Sequence, residues 1–325
     1  MIFHRSILAL IGSTLAVLAM VHWFAPVSGA ARAPRADKTG PDPFQASSMA
    51  WPRVVQDFDQ VQVRLAAPTK RVVSQYWSID EFLYTVLSPQ SIVGVSESAY
   101  LPRISNVYEQ AQQQKPVIAT DPERVLRQNP DLIVASSSAR ADFTALVRST
   151  DVPIYRLATM FTTLDQIADT IGLTGYLTGQ DARAERKRQR FLQAVEAARK
   201  AKPAGVRSPR ILGFGGRYSY GSQTLFHDIA TTLGAINVGA EGGLVGYDSV
   251  STEQILRWDP EWIIVGAEEG KQDQLRARLL EDPAIGLTQA ARNGRILVYD
   301  QRVFLPMSPF TTRILQVLAK DLYAQ

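Results

Sequence analysis

The sequence predicts an α/β fold: two α/β lobes with central, mostly parallel sheets, joined by one long rigid helix. Three observations predict it. The first is a repeat: Asp121–Ser136, DPERVLRQNPDLIVAS, returns as STEQILRWDPEWIIVG at Ser251–Gly266, displaced by 130 residues. Glu123 aligns with Glu253, Leu126 with Leu256, Arg127 with Arg257, Pro130 with Pro260 and Ile133 with Ile263. Each copy reads as a short amphipathic helix ended by an x-Pro dipeptide, because the residue before proline is pushed out of the α region. An apolar run follows, Leu132–Ala135 or Trp262–Val265, which suits a parallel strand buried on both faces. The second is Asp181–Lys202, rich in Ala, Arg, Lys, Glu and Gln and free of breakers until Pro203. Its high helix propensity makes it a stiff rod, which fixes a distance better than a Gly/Ser linker. The third is length: 325 residues accommodate two domains of roughly 100–200 residues each.

In chain order, Met1–Ala30 has the makeup of a signal peptide. His4 and Arg5 give a basic start, Ile7–Phe24 is apolar apart from small polar residues and His22, and Ser28-Gly29-Ala30 offers the small residues a signal peptidase reads. An uncleaved anchor is the alternative, since an apolar run of about 18 residues can just span a bilayer. Both place the rest of the chain outside the cytoplasm. The composition of 31–50 argues for a disordered tether.

The first lobe covers 51–160. It should hold a strand or hairpin in Val54–Leu65, a strand at Arg71–Ser74, a helix at Tyr76–Leu87 with Ser78 as N-cap, and a strand at Ser91–Val95. The first copy of the repeat, a helix at Ala141–Ser149 and a strand at Ile154–Leu157 complete it. A helical region, 161–203, contains Thr163–Leu177, ended by Gly179, and then the rod, with Phe191, Leu192 and Val195 on its apolar stripe.

The second lobe covers 204–325. It opens with a strand at Arg210–Phe214 and a Gly215-Gly216 turn, followed by a helix at Thr224–Leu233 that Gly234 caps. Ala235–Val238 is short and apolar, and Gly239–Tyr247 reads as a glycine-rich loop. After the second copy come a helix at Leu275–Leu280, a strand at Arg295–Tyr299 and a terminal helix at Pro309–Tyr323.

Composition excludes several chemistries. The chain is 46% hydrophobic and 20% charged, with a net charge of +4 and both signs mixed throughout. The one dense basic run, Arg183–Arg190, is broken by Glu185, so nucleic acid is not an expected partner. The absence of cysteine removes disulfides, thiolate nucleophiles, Cys-bound zinc, iron–sulfur clusters and the lipidated cysteine of a lipoprotein. Three histidines occur and only His227 lies past the leader, which leaves little for a His-rich metal site. No metal ligand is fixed and no cofactor is expected.

Gly213-Phe214-Gly215-Gly216 follows a strand, but the third glycine of a dinucleotide loop is replaced by Tyr218, and a tight turn is preferred. No G-x-S-x-G elbow occurs, His227 beside Asp228 reads as surface or capping, and the only paired carboxylates noted are Glu268-Glu269, in a solvated loop. Nothing here makes a catalytic cluster, so an enzyme is not expected. The aromatic and arginine residues say more. Tyr76 and Trp77 follow the first strand, Tyr100 and Arg103 the second, and Arg140 the repeat strand; in lobe two, Arg217 and Tyr218 follow the first strand, Tyr247 closes the glycine-rich loop, and Arg302 and Phe304 follow the last strand. Ligands of open α/β sheets bind outside the carboxyl ends of the strands. As a group these residues suit a large, flat or anionic ligand.

From Arg71 onward the chain resembles the periplasmic substrate-binding proteins of ABC importers for iron–siderophores, haem and vitamin B12. The motifs that carry the resemblance are IVGVS at 92–96, DPERVLRQNPDLIVAS, TLFHDIATTLGAINVG at 224–239 and VSTEQILRWDPEWIIVG. The resemblance implies a monomeric carrier that holds a metal chelate between two lobes and delivers it to a dimeric permease. Glu123 and Glu253 would then dock on permease arginines. Tyr100 would be the iron ligand if the cargo is haem; Tyr76, Trp77, Tyr247 and Phe304 would suit a corrin ring; Arg103, Arg140, Arg217 and Arg302 favour an anionic ferric siderophore, the first choice at this level. An extracytoplasmic enzyme or sensor on the same frame is the remaining alternative.

Overall fold

The structure, a computed structural model, describes residues 50–113 and 121–323. The expected leader, and all of the tether but Ala50, lie outside the described residues. The chain begins with an antiparallel hairpin, β1 (Arg53–Gln56) and β2 (Gln62–Leu65), as the alternation in Val54–Leu65 suggests. The first parallel sheet follows: β3 (Val72–Ser74), β4 (Ile92–Gly94), β5 (Leu132–Ser136) and β6 (Ile154–Leu157), in the order β4-β3-β5-β6. A second parallel sheet is built from β7 (Arg210–Gly213), β9 (Ile236–Asn237), β11 (Trp262–Ala267) and β12 (Ile296–Asp300), in the order β12-β11-β7-β9. β8 (Tyr218–Tyr220) and β10 (Tyr247–Ser249) form a separate antiparallel ribbon.

Numbered within its own lobe, each sheet runs second, first, third, fourth strand. The two copies of the repeat therefore supply the third strand of one topology used twice. The match extends to single hydrogen bonds. Asp131 N donates to Arg71 O at 2.9 Å, and Glu261 N donates to Arg210 O at 2.9 Å. Each helix of the repeat, α3 (Pro122–Leu126) and α9 (Thr252–Trp258), is followed by a left-handed residue, Asn129 (φ 47°) or Asp259 (φ 44°), just before the proline. Asn and Asp tolerate that conformation better than other side chains, so they share the stop signal with the proline. In β5, Leu132 and Val134 enter one core cluster while Ile133 and Ala135 enter another. The strand is buried on both faces, which is why it reads as a continuous apolar run.

Between the sheets lie α5 (Leu164–Thr178) and α6 (Asp181–Arg199). α5 starts in a capping box made by Thr163 and Gln166 and ends at Gly179, with φ 73°. α6 is the expected rod, one unbroken helix of 19 residues. Its start is tied to the hairpin, because buried Arg53 pairs with Asp181 at 2.8 Å and donates to Tyr176 O at 2.6 Å. Phe191 and Val195 of α6 belong to one cluster with Phe82 and Val86 of α1 (Trp77–Val86), Ile167 and Ile171 of α5, and Ile211, Phe226 and Leu315 of the second lobe. The inner face of lobe two and the two middle helices thus share a core with α1 of lobe one. In lobe two, the stretch expected as a glycine-rich loop instead contains a short helix, α8 (Val238–Glu241), started by the Asn237 side chain, and the ribbon strand β10.

Candidate functional site

In both sheets the chain order reverses between the first and third strands, β3/β5 and β7/β11, which makes these strand ends the crevice positions of the fold. Tyr76 and Trp77 follow β3 directly, and the Gly213–Tyr218 turn follows β7.

The lobe-two side is aromatic. Tyr218 and Tyr220 are two apart in β8 and share one face, and Tyr247 pairs directly across from Tyr220 in β10. Tyr220 sits at the centre, with ring centroids 5.7 Å from Tyr218, 5.5 Å from Tyr247, 5.8 Å from Phe304 and 5.4 Å from Phe226. Three of these contacts are edge-to-face, which the aromatic quadrupole favours. Glycine is required beneath the rings. A Cβ on Gly215 would lie 2.5 Å from the Tyr218 ring, and one on Gly213 would lie 2.7 Å from Tyr220. The glycines of Gly213-Phe214-Gly215-Gly216 therefore clear space for tyrosines. Phe304 is itself buried and supports the cluster from below.

On the lobe-one side, Trp77 packs against the large inter-lobe core to which Tyr220 and Phe304 also belong, whereas Tyr76 and Tyr100 pack in the lobe-one core, and the Tyr76 and Trp77 rings stand 5.9 Å apart. Burial raises the pKa of the Tyr76 phenol. Burial, and then the Asp80 carboxylate, raise that of Tyr100, so its neutral phenol is favoured. Of the candidate residues, Tyr218, Tyr247 and Phe304 are thus brought to one ring cluster around Tyr220, and Trp77 shares the wider inter-lobe core with them and stands beside Tyr76.

The arginines divide. Arg140 is exposed and bidentate to Asp142, at 3.0 and 2.6 Å. Arg302 is bound to Asp300 and Glu269, each at 2.9 Å. Arg103 and Arg217 have no acidic partner among the described residues. Among the described residues no group of three His, Asp or Glu side chains could hold a bare metal ion.

The sequence reading misplaced the buried carboxylates. The acidic pair in an apolar setting is Asp80-Glu81, flanked by Ile79 and Phe82, and both acids are fully buried in α1. Burial pushes each carboxyl up to about 7. Asp80 accepts from Ser96 Oγ at 2.5 Å and Ser96 N at 3.2 Å. Glu81 Oε1 accepts from Asn106 N at 2.9 Å and Asn106 Nδ2 at 3.1 Å. The Ser308 hydroxyl lies near enough to draw the Glu81 pKa down, yet Oε2 closes no hydrogen bond. Asn106 also crosses to lobe two. Its Nδ2 donates to Arg302 O at 3.1 Å, and its Oδ1 accepts from Arg313 Nη1 at 2.6 Å. A polar latch between the lobes thus stands on a buried glutamate. Its sequence signal was two adjacent acids inside the apolar stripe of a helix.

Glu123 and Glu253 stand in the first turns of α3 and α9, and both side chains are exposed. The side-chain caps come from their neighbours, and hydrogen bonds from its own backbone N–H and from the Ser251 side chain hold the Glu253 carboxyl below its usual pKa. Asp121 accepts from Glu123 N and Arg124 N, and Ser251 accepts from Gln254 N.

The model of the family described as periplasmic binding protein matches residues 72–303. A cobalamin-binding protein of Halobacterium salinarum is 24% identical over 284 residues, spanning 84% of this chain and 73% of that protein. The periplasmic haem-binding protein RhuT of Roseiflexus sp. RS-1 in apo form superimposes with a TM-score of 0.66 and 24% identity, covering 79% of this chain and 98% of that one. CeuE of Helicobacter pylori, solved as a nickel–histidine complex, gives a TM-score of 0.67 and 16% identity, covering 84% and 89%. The repeated sheet topology, the long unbroken helix α6 between the two sheets and the match over 72–303 together place this chain in the periplasmic binding protein family.

Proposed function

We propose that this protein captures a metal chelate between its two lobes, outside the cytoplasm, and hands it to an ABC importer. The observation that carries the reading is the aromatic cluster at the strand ends: half-buried Tyr218 and Tyr247 on the ribbon around buried Tyr220, with Trp77 of lobe one packed against the same inter-lobe core. Aromatic faces in a crevice suit a broad, flat, partly apolar ligand. A tetrapyrrole-type complex, haem or cobalamin, fits this surface best, and the cobalamin-binding relative points the same way. Arg103 and Arg217, with no acidic partner among the described residues, are available for peripheral carboxylates or amide oxygens.

If the cargo is haem, Tyr100 is the axial ligand we assign. Its raised pKa means that the ferric ion must displace the phenolic proton, so loading releases a proton. The second reading is the ferric siderophore that the arginine content first suggested. It is supported by Arg103 and Arg217 alone, because Arg140 and Arg302 are already ion-paired.

Titration of the purified protein with haemin, cyanocobalamin and a ferric trihydroxamate, followed by absorbance and tryptophan quenching, tests the reading. One of the three should saturate at one per chain, and Trp77→Ala or Tyr247→Ala should weaken it by about tenfold or more, roughly 1.4 kcal/mol. Haemin as cargo should also lose affinity and its phenolate-to-iron absorption in Tyr100→Phe. Failure of all three to bind would defeat the proposal.

A further inference from the structure

A second cavity lies away from the strand ends. Its volume is about 430 Å3, within the roughly 300–1,000 Å3 typical of small-ligand pockets. None of the strand-end residues discussed above lines it. Five segments converge there: the C-terminal half of α1, the stretch around Val107 and Gln110, α5, the middle of α6, and residues 309–316. Its apolar wall is made of Tyr84, Ile171, Phe191 and Phe310, and Lys187 and Arg190 project from α6 into the same lining.

The charge balance of this lining is one-sided. It contains two cations and no Asp or Glu. Of the other basic groups on and just past α6, Arg188 is matched with Asp169 and Glu185, and Arg199 and Lys200 with Glu196, while Arg183 and Arg186 are unpaired among the described residues but do not line the cavity. Lys187 and Arg190 have no ion pair among the described residues. Their spacing of three along a helix puts both on one face, so one anionic group can meet both while an apolar body lies along the aromatic wall.

We propose that this cavity is a binding site for an amphipathic carboxylate, of the class of a medium-chain fatty acid, with its head on Lys187 and Arg190 and its chain against Phe191, Ile171 and Phe310. The site is separate from the chelate crevice and does not depend on the proposed cargo. Because its walls come from α1, from the segment that follows the latch residue Asn106, and from the second lobe, an occupant touches both lobes.

Isothermal titration of the full chain with decanoate, below its micelle concentration, tests the site. Saturable binding at one per chain is the expected result. The double charge reversal Lys187→Glu/Arg190→Glu should weaken it by about tenfold or more with little change in melting temperature, since Arg190 is exposed and Lys187 only half-buried. Decyltrimethylammonium, the same chain with the opposite charge, should not bind. The proposal is overturned by no decanoate binding up to ~1 mM, by equal binding of the cationic amphiphile, or by unchanged affinity in the double variant. Binding of phosphatidylglycerol vesicles without binding of monomeric decanoate would equally overturn it, because the basic face would then serve a membrane surface and not the cavity.

Discussion

Asp80 and Glu81 place two carboxyls where water does not reach, and the consequence is a pH-dependent stability of unusual sign. The Glu81 pKa is raised from 4.5 in a free side chain to about 7 in the folded protein. The folded state therefore binds its proton more tightly than the unfolded state. The stability this gives is present below about pH 4.5 and is lost as pH rises through about 7. Glu81→Gln keeps an oxygen to accept from Asn106 but carries no charge. It should raise the melting temperature at pH 8 relative to wild type, by a stability on the order of 3 kcal/mol, and change it little at pH 4. Thermal melts at the two pH values check this, and an unchanged difference between them would remove Glu81 from the account. Arg53 is the opposite case, a buried cation whose partner Asp181 must stay. Arg53→Ala leaves that carboxylate and the Tyr176 carbonyl without their donor and should cost about 3 kcal/mol in a urea melt. At this scale the sequence was only partly legible. Tyr76, Trp77, Tyr218 and Tyr247 could be singled out as candidates because they follow strands or loops. Asp80 and Glu81 were passed over because acids in a helix are expected to face water, and nothing local announces that Asn106, 25 residues on, will satisfy one of them.

Among the elements, the rod and the repeat were the most readable. Asp181–Lys202 was read as helix and Asp181–Arg199 is helix, because high local propensity and the absence of breakers decide such a segment without tertiary help. Gln189 is exposed in its middle, so Gln189→Pro removes an i→i−4 bond without touching the core and should cost about 3 kcal/mol or more in a urea melt. The ribbon of β8 and β10 was the least readable element. Its strands are three residues each and 27 residues apart in register, Tyr220 to Tyr247, so their pairing is a long-range choice that periodicity cannot reveal. The trace it left was the Tyr-Ser-Tyr alternation beside glycines that clear room for rings. Gly215→Ala should therefore displace the Tyr218 ring and weaken chelate binding by several-fold while leaving the fold intact. Affinity and far-UV circular dichroism of this variant separate the two effects.

For the whole molecule, one topology used twice has a functional corollary. Glu123 and Glu253 occupy the same place in the two copies, both exposed, with the side-chain caps supplied by Asp121 and Ser251. We propose that they meet the two halves of a dimeric permease. Glu123→Arg/Glu253→Arg should leave chelate affinity unchanged and abolish uptake, because like charges then face the permease. Uptake equal to wild type in a growth assay on the chelate would refute the docking role. The central claim is the capture of a metal chelate at the aromatic crevice. Native mass spectrometry of the protein purified from its own cells tests it most directly, alongside the Trp77→Ala/Tyr247→Ala double variant prepared in parallel. The account predicts one metal-containing small molecule per wild-type chain and its loss from the variant. A wild-type chain that carries no such molecule, even after exposure to haemin, cyanocobalamin and ferric trihydroxamate, or a variant that retains it fully, would contradict the account.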